Sequence, residues 1–252
     1  TKETNSNKDP KSEQTFYVFH GGEAAQQVAR DLKEAMEKEF FMKHGMKARD
    51  VRVTMASMED FKKTLELQNS NNSENNTKRR AIFVVETVEN AQPAEEAGSC
   101  IRYFNKMRKK LSSEDGDKTV PPFDENTFQY AVMGLGDTNL LLDRQTTTAK
   151  DCNQAAQTLD NALAALGADR LCEKGLANDA IGLEEGVLPW LEKKLLPNVL
   201  KAVKEEKARA ERNKPIEVVF AYGSQTGNAA EICKNLAAEA TERDKKDKMT
   251  TT

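Results

Sequence analysis

The sequence predicts an α/β fold in three layers, a five-stranded parallel doubly wound sheet with helices on both faces. Three observations predict it. Apolar periodicity alternates between strand and helix five times between Thr15 and about Val203. RRAIFVVET (79–87) is a continuous apolar run, the kind buried on both faces of a parallel sheet. Glycine turns follow strand-like runs at His20-Gly21-Gly22 and at Gly134-Leu135-Gly136-Asp137.

The elements follow in order. TKETNSNKDPKSEQ (1–14) holds no aliphatic or aromatic side chain and reads as a disordered tail. TFYVF (15–19) is the first strand. Val28, Leu32, Ala35, Met36 and Phe40 then share one helical face. DVRVTMA (50–56) alternates as a strand, and QNSNNSENNTKRR opens a long polar loop before the strand at 79–87. Two glycosylation sequons there, at Asn71 and Asn75, are what asparagine-rich composition produces by chance. Ala97, Ile101, Phe104, Met107 and Leu111 line a second helix, and SSEDGDKTVPP is another loop. FQYAVMGLGD (128–137) is a strand running into a glycine turn. Leu159, Leu163 and Leu166 mark a third helix that Gly167 stops. DRLCEKGLA (169–177) is a weaker strand. Leu188, Leu191, Leu195 and Val199 form the face of a last helix, with Trp190 beside it as a packing residue.

KEEKARAERNKP (204–215) is almost wholly charged and reads as a helix extension or a linker closed by Pro215. IEVVFAY (216–222) then starts a strand surplus to the five. The expected domains are therefore a tail (1–14), a complete α/β domain (15–203), a charged segment (204–215) and the first βα unit of a second domain (216–252).

Composition narrows the function classes. With 38 Lys+Arg against 41 Asp+Glu the net charge is −3, and no general nucleic-acid surface is expected. No apolar run approaches the ~18 residues of a membrane span. The four cysteines form no CxxC, which favours reduced thiols in a cytoplasmic setting over a disulfide frame or a zinc site. GLGD lacks the third glycine of a dinucleotide fingerprint, and no GxxxxGK[ST] occurs. His20 and His44 have no catalytic partner at a telling spacing and read as a turn residue and a solvated one.

Two segments repeat each other. FYVFHGGE-AAQQVARDLKEA and VVFAYGSQTGN-AAEICKNLAAEA are each an apolar strand, a glycine turn and a helix opening on paired alanines, the first loop about three residues shorter. In the second, Ser224 and Thr226 offer hydroxyls, and Gly227 admits close backbone approach. Backbone N–H groups from Gln225 to Ala229 would face into the loop at the positive end of a helix that Asn228 can cap.

GSQTGNAAEI resembles the phosphate loop of flavodoxin-like domains, especially those of the NADPH-dependent diflavin reductases of cytochromes and haemoproteins. FVVETVENAQPAEEA, FQYAVMGLGDTN and ALGADRLCEKGLANDAIGLEEGVLPWLEKKLLPNVL are similar to later parts of that domain. The resemblance implies a flavodoxin-like fold and FMN held by Ser224, Gln225, Thr226, Gly227, Asn228 and Ala229 once the second domain is complete. It also implies an electron-transfer partner or haemoprotein acceptor, and FAD and NADPH in modules outside these residues. Asp179, Glu184 and Glu185 would belong to a docking surface or to a merely solvated face.

The first domain departs from the family at all three cofactor loops. HGGE lacks the hydroxyls and places Glu23 near the phosphate position. Glu89-Asn90-Ala91 replaces a glycine-rich turn, with Val88 near the aromatic position. Leu140 stands where a tyrosine often stacks on the flavin. Two functions stay open: an FMN-dependent electron-transfer flavoprotein, or a module that has lost FMN and serves docking, dimerisation or regulation.

Overall fold

The computed structural model describes residues 14–64, 78–113, 121–123, 127–140, 152–212 and 228–250. The chain divides into two units, 1–207 and 208–252. The polar loop at 68–77 with its two sequons, most of SSEDGDKTVPP, and 216–227 lie outside the described residues.

The first unit is built on β1 (Gln14–Gly21), β2 (Val51–Ser57), β3 (Arg79–Val88) and β5 (Phe128–Gly136). A two-residue β4 (Gln92–Pro93) folds back antiparallel on the end of β3. The last strand is in two pieces, β6 (Asp169–Arg170) and β7 (Gly175–Asn178), both parallel to β5. Strand order is β2-β1-β3-β5-β6/β7, and β2, β1, β3 and β5 pair in parallel. This is the doubly wound order that switches direction between β1 and β3. The expected final strand at 169–177 is thus interrupted between Arg170 and Gly175, although Leu171 N still donates to Tyr130 O at 2.7 Å. β1 outruns its expected end at Phe19 by including His20 and Gly21.

The helices are α1 (Glu23–Glu37), α2 (Glu95–Ser113), α3 (Gln154–Ala165), α4 (Glu184–Trp190) and α5 (Leu196–Arg212). α1 runs on as a π-helical turn, Lys38–Lys43, and a second such turn, Leu191–Leu195, joins α4 to α5. The charged segment from Lys204 is helical as far as Arg212.

Strand alternation sorts the core into two layers. Ile82, Val84, Ala131, Met133 and Leu135 meet α1 and the α4–α5 segment, where Val28, Leu32, Met36, Leu195 and Val199 are buried. Ala81, Phe83, Val85, Tyr130 and Val132 meet α2 and α3, through Ala97, Ile101, Phe104, Leu159 and Leu163. On this second face the rings of Phe61 and Phe104 lie 4.9 Å apart and those of Phe19 and Phe83 5.5 Å. Each such pair adds about 0.5–1.5 kcal/mol beyond area burial. Both faces of β3 from Ala81 to Val85 are therefore dry, as its apolar run predicts. Leu188, expected on the buried face of the last helix, is 49% exposed.

Two glycine expectations resolve into packing. A Cβ at Gly134 would overlap Ala156 and Asn153, and one at Gly136 the backbone of Cys152. Gly-Leu-Gly is thus where α3 presses on β5. Gly167 follows α3 at φ 84, and the turn closes with Ala168 N donating to Leu163 O at 3.1 Å. Trp190 is buried, and its Nε1 donates to Glu173 O at 2.7 Å.

In the second unit the described element is α6 (Asn228–Thr250).

Candidate functional site

The loops that would hold a ligand lie at the carboxyl ends of the parallel strands, next to the β1/β3 switch point. β1 enters α1 through one residue, Gly22, at φ 118. No multi-residue loop separates strand from helix here. A Cβ at Gly21 would overlap Ala97 at the start of α2, so α2 closes on this connection from the other side.

The first turn of α1 has an acceptor that sequence reasoning missed. Ala24 N donates to Glu86 Oε2 at 3.1 Å. Glu86 comes from β3, where it pairs with Leu135, and its own carbonyl accepts Ala94 N at 3.0 Å. The β3–β4 hairpin therefore holds the Glu86 backbone while its half-buried side chain reaches the helix. A Cβ at Gly22 would collide with the Glu86 carboxylate, so only glycine fits opposite it. The sequence points to Glu23 near the phosphate position and not to Glu86. Glu23 is exposed as the first residue of α1, and the carboxylate at the helix amide is Glu86. The signal was present as one acidic residue inside the apolar run RRAIFVVET.

The second loop is a tight 3-10 turn over Glu89–Ala91, in which Ala91 takes φ 58. Left-handed backbone is uncommon for a residue with a Cβ. Thr87, buried beside it, accepts Ala155 N at 3.3 Å and so caps α3. Val88 is 39% exposed. In the third loop Asn139 N donates to Asp137 Oδ1 at 2.8 Å, and Thr138 N donates to Asn178 Oδ1 at 3.0 Å. The second bond ties the β5 end to the β7 end. Leu140 is 46% exposed and closes the described part of the loop. Asp179, Glu184 and Glu185 are exposed on the same side.

His20 is half-buried at the end of β1. Burial lowers its pKa; Glu96 opposes that shift and Arg30 reinforces it. Of the residues assigned to the phosphate loop, Asn228 and Ala229 open α6, with Asn228 exposed. Ser224, Gln225, Thr226 and Gly227 lie outside the described residues. Among the described residues no group of three or more His, Cys, Asp or Glu could hold a metal, and no helix is long and apolar enough to cross a membrane.

Comparison with known proteins decides the family. The family described as Flavodoxin matches residues 23–190, more than half of the chain. The chain belongs to the flavodoxin family.

Two methionine synthase reductases are similar to this flavodoxin-family chain. That of Bos taurus is 34% identical over 110 residues, 44% of this chain and 13% of the relative. That of Caenorhabditis elegans is 31% identical over 119 residues, 47% and 14%. The chain thus spans 13–14% of the length of these curated relatives. Among solved structures, a cysteine-to-alanine mutant of Pseudomonas aeruginosa flavodoxin aligns with TM-score 0.44 and 13% identity, covering 71% of this chain and 95% of that one. Oxidised flavodoxin 1 of Bacillus cereus aligns with TM-score 0.40 and 10% identity, covering 73% and 97%.

The flavodoxin family implies FMN, whose phosphate would meet the first unit at the β1–α1 connection. A flavin phosphate needs free N–H groups at a loop and helix start. Here the loop is one residue and a helix amide is already bonded to a carboxylate. These residues do not provide the phosphate cradle.

Proposed function

We propose that the chain is part of an electron-transfer reductase of the NADPH-dependent diflavin type. The observation that carries this reading is the flavodoxin domain itself, matched over 23–190 in a chain similar to two methionine synthase reductases. In this reading residues 15–203 are a complete flavodoxin-like domain, 204–215 a charged connection, and 216–252 the first βα unit of a second such domain. FMN binds the second domain once its remaining walls are present, and supplies one-electron transfer between a reduced FAD and the acceptor. Ser224 and Thr226 donate hydroxyls to its phosphate, Gly227 admits the backbone, and Gln225, Asn228 and Ala229 contribute amides at the start of α6. FAD and NADPH belong to modules outside these residues. The acceptor is a haemoprotein or another electron-transfer protein, and the relatives' name brings in methionine synthase. The cytoplasm, which keeps thiols reduced, suits the four free cysteines.

A second reading concerns the domain 15–203 and is favoured by the Ala24–Glu86 contact. In it this domain keeps the fold without FMN and contributes docking, dimerisation or regulation. Fold alone does not separate the two.

A visible spectrum of the purified chain, and FMN titration of a version extended to a complete second domain, test the proposal. The extended protein is expected to take up FMN and turn yellow. Ser224→Ala/Thr226→Ala is expected to weaken that uptake. Failure of the extended protein to bind FMN would overturn the reading of Ser224–Ala229.

A further inference from the structure

We infer that Glu86 is a built-in occupant of the phosphate position in the 15–203 domain, an internal carboxylate that holds the start of α1 and shuts FMN out. The inference deepens the flavin-free reading of that domain and is independent of the unit at 216–252.

Three features on different elements converge. First, β1 passes into α1 through Gly22 alone, so no loop can wrap a ligand. Second, the N-terminal end of α1 carries unpaired amides and a partial positive charge that favours an anion. Glu86 Oε2 supplies that anion at 3.1 Å from Ala24 N. Third, the carboxylate is carried on the sheet and cannot easily leave. Glu86 sits between Val85 and Thr87, both buried in β3, and its carbonyl is bonded to Ala94 N. The positive φ of Gly22 and the collision any Cβ there would make with the carboxylate show a backbone shaped around this contact. A phosphate dianion at the same amide would sit against a carboxylate of like charge, in a site too short to separate them.

A ligand-dependent helix start has thereby become a ligand-independent one. Where a cofactor phosphate would order α1 only when bound, the side chain on β3 orders it always.

Hydrogen exchange read by peptide on the whole chain tests this. In the wild-type protein, saturating FMN or inorganic phosphate is expected to leave the peptide covering 22–28 unchanged. Glu86→Ala is expected to speed exchange there about two- to thirtyfold, the factor that charge–helix interactions span. Added inorganic phosphate is expected to slow it again in that variant alone. Glu86→Gln, which keeps the shape and can still accept one bond, is expected to fall between the two. Slower exchange at 22–28 on adding FMN to the wild type would overturn the inference. So would an unchanged rate in Glu86→Ala, or a raised rate that phosphate does not lower. If Glu86→Ala does not fold, Glu86→Gln and the wild-type FMN arm still decide. FMN protection confined to 228–243 would report on the other unit and leave this inference standing.

Discussion

Asp160 is the most heavily committed single side chain. It is buried in α3 and accepts from Arg170 Nε at 2.7 Å, Lys174 Nζ at 2.8 Å and Tyr130 Oη at 3.1 Å. Burial alone would raise its pKa, but the hydrogen bonds from Arg170 and Lys174 outweigh that and lower it. Tyr130 is driven up by burial and by the Asp160 charge. The carboxylate therefore stabilises the fold fully above its unfolded value near 3.8, and that stability is lost as pH falls through the lower folded value. His20 acts earlier: its lowered pKa means the folded state resists protonation, so stability falls as pH drops below about 6.5. Urea midpoints are expected to decline in two stages, below about pH 6.5 and below about pH 4. Asp160→Asn should shrink the lower stage, to which Glu39 and Glu173 also contribute, and cost roughly 1.5–3 kcal/mol at neutral pH. A variant within about 0.5 kcal/mol of wild type would show that the partly exposed Arg170 and Lys174 contribute little. None of this is legible in the sequence. NQAAQTLDNALAALG shows an acidic residue in a helix, and its partners Arg170 and Lys174 come from the irregular end of another element.

Among the elements, α5 is joined to the sheet by a polar network at the opposite end from the loops. Arg80, 3% exposed on β3, donates to Gln14 Oε1 at 3.2 Å, Gln129 Oε1 at 3.1 Å and Glu206 Oε2 at 3.3 Å. Gln14 Nε2 reaches Val203 O at 3.3 Å. Burial lowers the Arg80 pKa, and Glu206 opposes that shift. Arg80→Ala leaves the half-buried Glu206 without its partner and is expected to cost roughly 3–5 kcal/mol. Exchange in 201–207 should accelerate more than in α1; equal acceleration would mean the network does not hold α5 in particular. Most elements were legible because their period matches their burial, as at Val28, Leu32 and Met36 in α1 and Phe40 in the π-helical turn that follows it. Two departures have local causes. β1 reaches Gly21 because a residue without Cβ fits beneath Ala97, so the first of the two glycines extends the strand and Gly22 alone makes the turn. The strand at 169–177 breaks because Arg170 and Lys174 reach for Asp160 while Glu173 O takes Trp190. Such contacts couple residues distant in sequence, which periodicity does not register.

At the scale of the whole molecule, the flavodoxin assignment was readable from order and motif, but the reason its first cofactor loop differs was not. Glu23 follows the glycines directly and is the obvious acidic residue in the sequence; Glu86 is hidden in a strand 62 residues from Ala24. The thiols report on global opening. Cys100 and Cys152 are buried, and burial raises the Cys100 pKa; the Cys172 thiol is pushed up to about 12 by burial. Native-state alkylation near pH 8 is expected to reach Cys233 first. Cys100 and Cys152 should react at least about a thousandfold more slowly than in the unfolded chain, through opening of the fold. Labelling of Cys100 at the rate of a free thiol would contradict the packing of α2. The two-piece final strand has a further effect. Among the described strands its outer side is the rim of the sheet, where backbone groups invite a strand from another molecule. Split into two residues and four, with 172–174 between them outside the ladder, it offers an incoming chain no continuous template. The interruption that gives up ladder bonds at home thereby guards this rim against edge-to-edge aggregation.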